Sequence, residues 1–152
     1  MNTISIRQAV LADIETLAAL FDEYRQFYGR ASDKSAARSF LVSRFEHGES
    51  VLFLAFEGDD PLGFMQLYPS FSSISLARIF ILNDLFVRPS GRKKGIGTGL
   101  IRAAVAYAKD TGAIRLALST ANTNTTAQAL YQSLGWQRDE QFLSYTLAVE
   151  AH

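Results

Sequence analysis

The sequence contains no cysteine, two histidines and three prolines in 152 residues. Without thiols there are no disulfides, no cysteine nucleophiles and no thiolate zinc sites. Of the two histidines, His152 is the last residue, so a Ser-His-Asp triad or a multi-histidine metal site would rest on His47 alone. No metal centre is expected. Fifteen basic residues balance fifteen acidic ones, for a formal net charge of zero. Proteins that hold nucleic acid non-specifically carry a positive excess, so a nucleic-acid partner is not expected. Arg7 and Asp13 interrupt any apolar leader, and no apolar run approaches the ~18 residues of a membrane span. The expectation is a soluble, cytoplasmic protein with no membrane partner.

What is present is ordinary for a globular chain: 48% hydrophobic and 20% charged residues, with 11 Phe and 6 Tyr. That apolar content supplies far more burial than a disordered chain carries. The length fits one domain over residues 1–152. Residues 3–7 alternate polar and apolar, as in a half-buried strand, and from Leu11 to Tyr28 the period becomes helical, with Gly29 as its stop. A second helix is expected from Asp33 as N-cap to about Glu46. Residues 50–57 read as a strand, 58–61 as a turn, 62–68 as the returning strand and 75–87 as a central strand. A helical stripe over 96–108, a short strand at 114–119, a helix at 123–134 and an alternating strand at 141–149 complete a β-α-α-β-β-β-α-β-α-β order. That order gives an α/β domain with a mixed sheet.

The most informative stretch runs from Asp84 through Leu85, Phe86 and Val87 into Arg92-Lys93-Lys94-Gly95-Ile96-Gly97-Thr98-Gly99. A strand enters a loop of basic residues and glycines, and a helix leaves it. Free N–H groups and the dipole at a helix N-terminus favour an anion, and Gly95 and Gly97 would admit a phosphate close to the backbone. The spacing is neither that of a P-loop nor that of a dinucleotide-binding fingerprint. On these residues alone, a pyrophosphate cradle and a tight turn with solvated Lys and Arg both stand.

Arg92-Lys93-Lys94-Gly95-Ile96-Gly97 is similar to the Arg/Gln-x-x-Gly-x-Gly/Ala signature of the GNAT superfamily, the acetyl-CoA-dependent N-acetyltransferases. Asn124-x-x-Ala127-x-x-Leu130-Tyr131-x-x-x-Gly135-Trp136 resembles the family's downstream element. The resemblance implies a mixed, mostly antiparallel central sheet flanked by about four helices and splayed at the acetyl-CoA site. It implies that Leu85, Phe86 and Val87 meet the pantetheine arm and that Arg92, Lys93, Lys94, Gly95, Ile96, Gly97 and Thr98 wrap the pyrophosphate. By the same resemblance Asn124 and Ala127 belong to the cofactor side, and Tyr131 protonates the departing thiolate. The acceptor is then a primary amine, on a small molecule, a peptide or a protein.

Asp84 is the candidate base or water-organiser for that amine. Related polyamine acetyltransferases often carry Glu where this chain has Asn83, so the base is less defined here; Asp84 could equally cap or bridge a strand. Glu23, Tyr24 and Tyr28 on the first helix could meet a cationic amine, an aromatic face with a carboxylate suiting an ammonium group, although most of that stripe reads as core. The small histone- and polyamine-acetyltransferase-like branch is the nearest suggested, and homodimerisation through the final strand is an expectation drawn from it. A non-catalytic acyl-CoA sensor remains the alternative to an enzyme.

Overall fold

The computed structural model describes residues 3–150. These fall into two compact units that divide between Leu118 and Ser119. The first holds β1 (Ile4–Gln8), α1 (Ile14–Phe27), α2 (Lys34–Glu46), β2 (Val51–Glu57), β3 (Asp60–Ser72), β4 (Ala77–Val87), α3 (Ile96–Asp110) and β5 (Leu116–Ala117). The five strands form one sheet in the order β1-β2-β3-β4-β5. The first three pairings are antiparallel, and β4 with β5 is parallel. The parallel pair needs a crossover, which α3 supplies. No described helix is long and apolar enough to cross a membrane.

Leu17, Leu20 and Phe21 of α1 and Ala37 and Leu41 of α2 are buried with Leu52, Leu54, Phe64 and Phe86 of the sheet. Ile96, Leu100, Ile101 and Ala104 bury the apolar stripe of α3. α3 lies against β1 at Gly99, where an added Cβ would meet the Cδ1 end of the Ile6 side chain.

Three strand expectations change. β3 is longer than residues 62–68 and runs through Pro69. The last β2–β3 pair is Val51 with Leu67, so Pro69 lies past the end of β2, where β3 is an edge strand and a missing N–H is tolerated. β5 shrinks from the expected six residues to two, paired as Phe80 with Leu116 and Ile81 with Ala117. An apolar run marks extended or buried chain, but only a ladder partner sets a strand's length.

The second unit holds α4 (Thr125–Ser133). Asn124 caps it by accepting from the Ala127 N–H at 3.1 Å, and Gly135 takes φ +91° just past its end. The expected strand at 141–149 is not formed. Alternation specifies two faces without supplying a neighbour, and no described strand pairs with this segment. Leu143, Tyr145, Leu147 and Val149 are 82–94% exposed.

Asp22 of α1 is buried and holds the α1–α2 connection. Its carboxylate accepts from Ser32 Oγ at 2.7 Å, the Asp33 N–H at 2.8 Å and Gln26 Nε2 at 3.1 Å. The Ser32 hydroxyl and then the Asp33 N–H hold its pKa below the usual aspartate value. A depressed folded-state pKa contributes stability that is present above the unfolded-state pKa and is lost as pH falls through the folded one. Asp22→Ala is therefore expected to destabilise the fold by about 1–3 kcal/mol at neutral pH by stranding these donors. Denaturant melts at neutral and acid pH should show that gap narrowing as the wild-type carboxylate is protonated.

Candidate active site

The loop between β4 and α3 begins with a turn at Pro89–Gly91. Lys93 (φ +64°) and Gly95 (φ +77°) are both left-handed, and this pair of reversals brings the chain to the start of α3. Gly95 is the N-cap and has no side chain to offer the helix. The first N–H groups of α3, which like those of any helix have no intrahelical acceptor, therefore find no capping side chain either. Arg92 donates to the Val87 carbonyl at 3.2 Å and lies over the Phe27 ring. Lys94 is held by Glu57 at 3.0 Å. Lys93 points its charge into an exposed setting.

Gly97 separates the two readings of this loop. Its φ is not in the positive range, and a Cβ built on it meets nothing within 4 Å. Neither backbone conformation nor packing asks for glycine there, whereas close approach of a ligand would. The open space, the unpaired N–H groups and the helix dipole together fit a pyrophosphate.

β4 leads into this loop with one edge open. Its ladder with β5 ends at Ile81, so among the described residues the stretch 82–87, including Leu85, Phe86 and Val87, has no strand on that side. Such an edge can take an extended ligand in place of a strand.

Asp84 lies on the same strand, re-aimed by a bulge. Gln66 pairs with Asp84 and Leu67 with Leu82, leaving Asn83 as the extra residue. Consequently Phe80 meets Tyr107 of α3, while Phe86, also even-numbered, meets Tyr24 of α1 on the other face. Asp84 is 4% exposed and accepts from Gln66 Nε2 at 2.7 Å and Asn83 Nδ2 at 3.1 Å. Gln66 Oε1 is buried without a partner among the described residues.

Two phenols share this environment. Burial pushes the Tyr24 hydroxyl far above its ordinary pKa, and the charge of Asp84 and a hydrogen bond to it add to the shift. Burial and then the same charge push Tyr68 up to about 12. Both phenols therefore stay protonated at neutral pH, and that of Tyr24 donates to Asp84.

The residues expected at the acceptor wall separate. Tyr24 joins the Asp84 cluster and packs edge-on against Phe64 and Phe86. Tyr28 is exposed and stacks edge-on against Tyr24, with ring centroids 5.1 Å apart. Glu23 is engaged by Arg88, whose Nε lies 2.9 Å from Glu23 Oε1 and whose Nη1 donates to the Pro61 carbonyl at 2.8 Å. It fastens α1 to the end of β4 and is not part of the Asp84 cluster. In the second unit, the Tyr131 ring lies 5.8 Å from that of Trp136, and Asn124 spends its Oδ1 on the α4 cap. Gln66 and Tyr68 were missed from sequence. The signal was there: a glutamine in the otherwise apolar run Leu62-Gly63-Phe64-Met65-Gln66-Leu67, followed two residues later by a tyrosine on the same strand face.

Comparison with known proteins agrees with this geometry. The model of the acetyltransferase (GNAT) family matches residues 17–136. An uncharacterised N-acetyltransferase, YhfO, of Bacillus subtilis is 47% identical over 148 residues, 97% of this chain and 99% of the relative. A thialysine N-epsilon-acetyltransferase of Caenorhabditis elegans is 26% identical over 122 residues, 80% of this chain and 76% of the relative. The crystal structure of a probable acetyltransferase, 43% identical, superposes with a TM-score of 0.92 over 97% of this chain and 99% of that one. The α/β fold, the glycine loop and these relatives agree: the chain belongs to the GNAT family and is an N-acetyltransferase.

Proposed function

We propose that this N-acetyltransferase moves the acetyl group of acetyl-CoA to a primary amine by direct attack in a ternary complex. The observation that carries the donor side is Gly97, whose missing side chain leaves open space at the unpaired start of α3. In this reading the loop from Arg92 to Thr98 receives the pyrophosphate, with Lys93 adding positive charge. The open β4 edge at Leu85, Phe86 and Val87 receives the pantetheine arm, and a backbone N–H near Val87 polarises the thioester carbonyl. Asn124, Ala127 and Tyr131 enter through the downstream sequence motif.

On the acceptor side, Asp84 takes the proton of the incoming ammonium, directly or through a water. Gln66 and Asn83 hold the carboxylate in place by hydrogen bonds to its two oxygens. The free amine then attacks the carbonyl carbon; an N–C bond forms and the C–S bond breaks. Tyr131 gives its proton to the departing sulfur, and the proton shed by the newly acylated nitrogen restores the phenol. A phenol is a weaker acid than a thiol, so this transfer needs the site's help. Tyr24 and Tyr28 line the amine side. The relative named for thialysine supports a small amine as acceptor.

The test is release of CoA thiol from acetyl-CoA across a panel of amines, with acetyl-CoA binding followed by calorimetry. Turnover with one amine class is the expected result. Tight acetyl-CoA binding with no turnover across the panel would instead favour a sensor.

A further inference from the structure

Asp84 is only 4% exposed, yet an incoming ammonium must give it a proton. Its surroundings leave little room for that amine. Gln66 Nε2 donates to Oδ2 at 2.7 Å and Asn83 Nδ2 to Oδ1 at 3.1 Å, so each oxygen already accepts an amide N–H. The third donor is the Tyr24 hydroxyl.

The sheet locates Tyr24 independently. Gln66 stands opposite Asp84, and the next pair on the same face is Phe64 opposite Phe86. The Tyr24 ring lies edge-on to both phenylalanines, with centroids 5.6 and 6.1 Å away. Successive pairs on one face are about 7 Å apart, so a phenol packed on the first reaches the second. Tyr24 itself is half-buried and meets the ring of exposed Tyr28 edge-on at 5.1 Å.

Chemistry separates the three donors. The amides of Gln66 and Asn83 hold the carboxylate but have no proton to pass on. A hydroxyl is donor and acceptor at once, so Tyr24 can give its proton to Asp84 and take another on the same oxygen. Tyr68, the other phenol of the cluster, feels the charge of Asp84 without a hydrogen bond to it among the described residues.

We propose that Tyr24 is the residue that meets the amine and relays its proton to Asp84. This deepens, and rests on, the acetyl-transfer reading above. One N–H bond of the ammonium breaks as an O–H bond forms on Tyr24, and the original Tyr24 O–H breaks as its proton passes to Asp84. The two transfers run together, so neither a phenolate nor a doubly protonated phenol is formed. Nitrogen keeps the electron pair of the broken bond and attacks with it. After the product leaves, the same transfers in reverse hand the proton to water.

Tyr24→Phe keeps the ring and removes only the oxygen. The probes are ethylamine, which is charged at neutral pH, and 2,2,2-trifluoroethylamine, a near-isostere whose fluorines make it so weak a base that it arrives mostly uncharged. In the variant, kcat/KM for ethylamine should fall by about 10²-fold, the lower range for a positioned proton-transfer group, and that for trifluoroethylamine by less than about threefold. A tyrosine that only supports the packing would depress both amines alike. Asp84→Asn should show the same selective loss, and the double variant should cost little beyond either single one, because the two groups act as one relay. Thermal melts and acetyl-CoA calorimetry check the fold and the donor site. Tyr24→Phe at the wild-type ethylamine rate, or equal losses with both amines, would overturn the relay, and a selective loss in Asp84→Asn beside that result would leave acetyl transfer through Asp84 standing. Asp84→Asn that spares ethylamine would overturn the role of Asp84 itself, and the relay with it.

Discussion

Tyr131→Phe is expected to lower kcat by about 10²–10⁴-fold, the usual worth of a positioned proton donor, while changing acetyl-CoA affinity less than about threefold. The substitution removes one oxygen and keeps the ring that lies 5.8 Å from Trp136. The Asn124 cap and the Gly135 stop, which define α4, are untouched. If Tyr131 protonates the leaving sulfur, the loss falls on the chemical step. The diagnostic pattern is a lower kcat, a matching fall in kcat/KM and an unchanged calorimetric affinity. A variant that turns over at the wild-type rate would remove Tyr131 from the mechanism and return it to the role of an aromatic side chain on an amphipathic helix.

Gly97→Asp is expected to weaken acetyl-CoA binding by about 10²-fold or more, near 2.7 kcal/mol, without loss of fold. The new Cβ meets open space, and a carboxylate in the first turn of α3 interacts favourably with the helix dipole by about 0.3–1 kcal/mol. The same carboxylate occupies and repels the place proposed for the pyrophosphate. Binding and stability should therefore move in opposite directions. Gly99→Ala is the control: its Cβ meets only the Cδ1 end of the Ile6 side chain, which can swing aside, and Ala is the better helix former, so acetyl-CoA binding should persist with little change in melting temperature. Two glycines two residues apart thus carry different obligations, and calorimetry beside a thermal melt separates them. Undiminished acetyl-CoA binding by Gly97→Asp would mean that the loop is only a turn.

Both helices of the first half, the α3 stripe and the cap at Asp33 were legible from sequence because each is a local pattern. Asp33 does accept from the Ala36 N–H, at 3.1 Å. The glycine loop was legible as well, since basic residues and glycines between a strand and a helix are contiguous in the chain. The Asp84 cluster was only half visible. Asp84 could be named, but its facing Gln66 depends on a one-residue bulge at Asn83 that nothing in the sequence announces. Glu23 looked like an acceptor carboxylate because its partner, Arg88, lies 65 positions away. A surface groove lined by Arg44 of α2 and Tyr68 of β3 escaped for the same reason, because only the fold brings them together. The strand at 141–149 went the other way. Its alternation was read correctly as a pattern, but a pattern cannot supply a ladder partner.

That last segment bears on how the protein behaves in a tube. Leu143, Tyr145, Leu147 and Val149 present an alternating apolar row to water, on a molecule whose positive and negative charges cancel and whose isoelectric point is near 6.7. Near neutrality there is little mutual repulsion to keep such rows on different molecules apart. Light scattering against concentration should therefore show attraction between molecules that is strongest around pH 6.7 and fades toward pH 8.5. Stocks for calorimetry are best kept on that alkaline side.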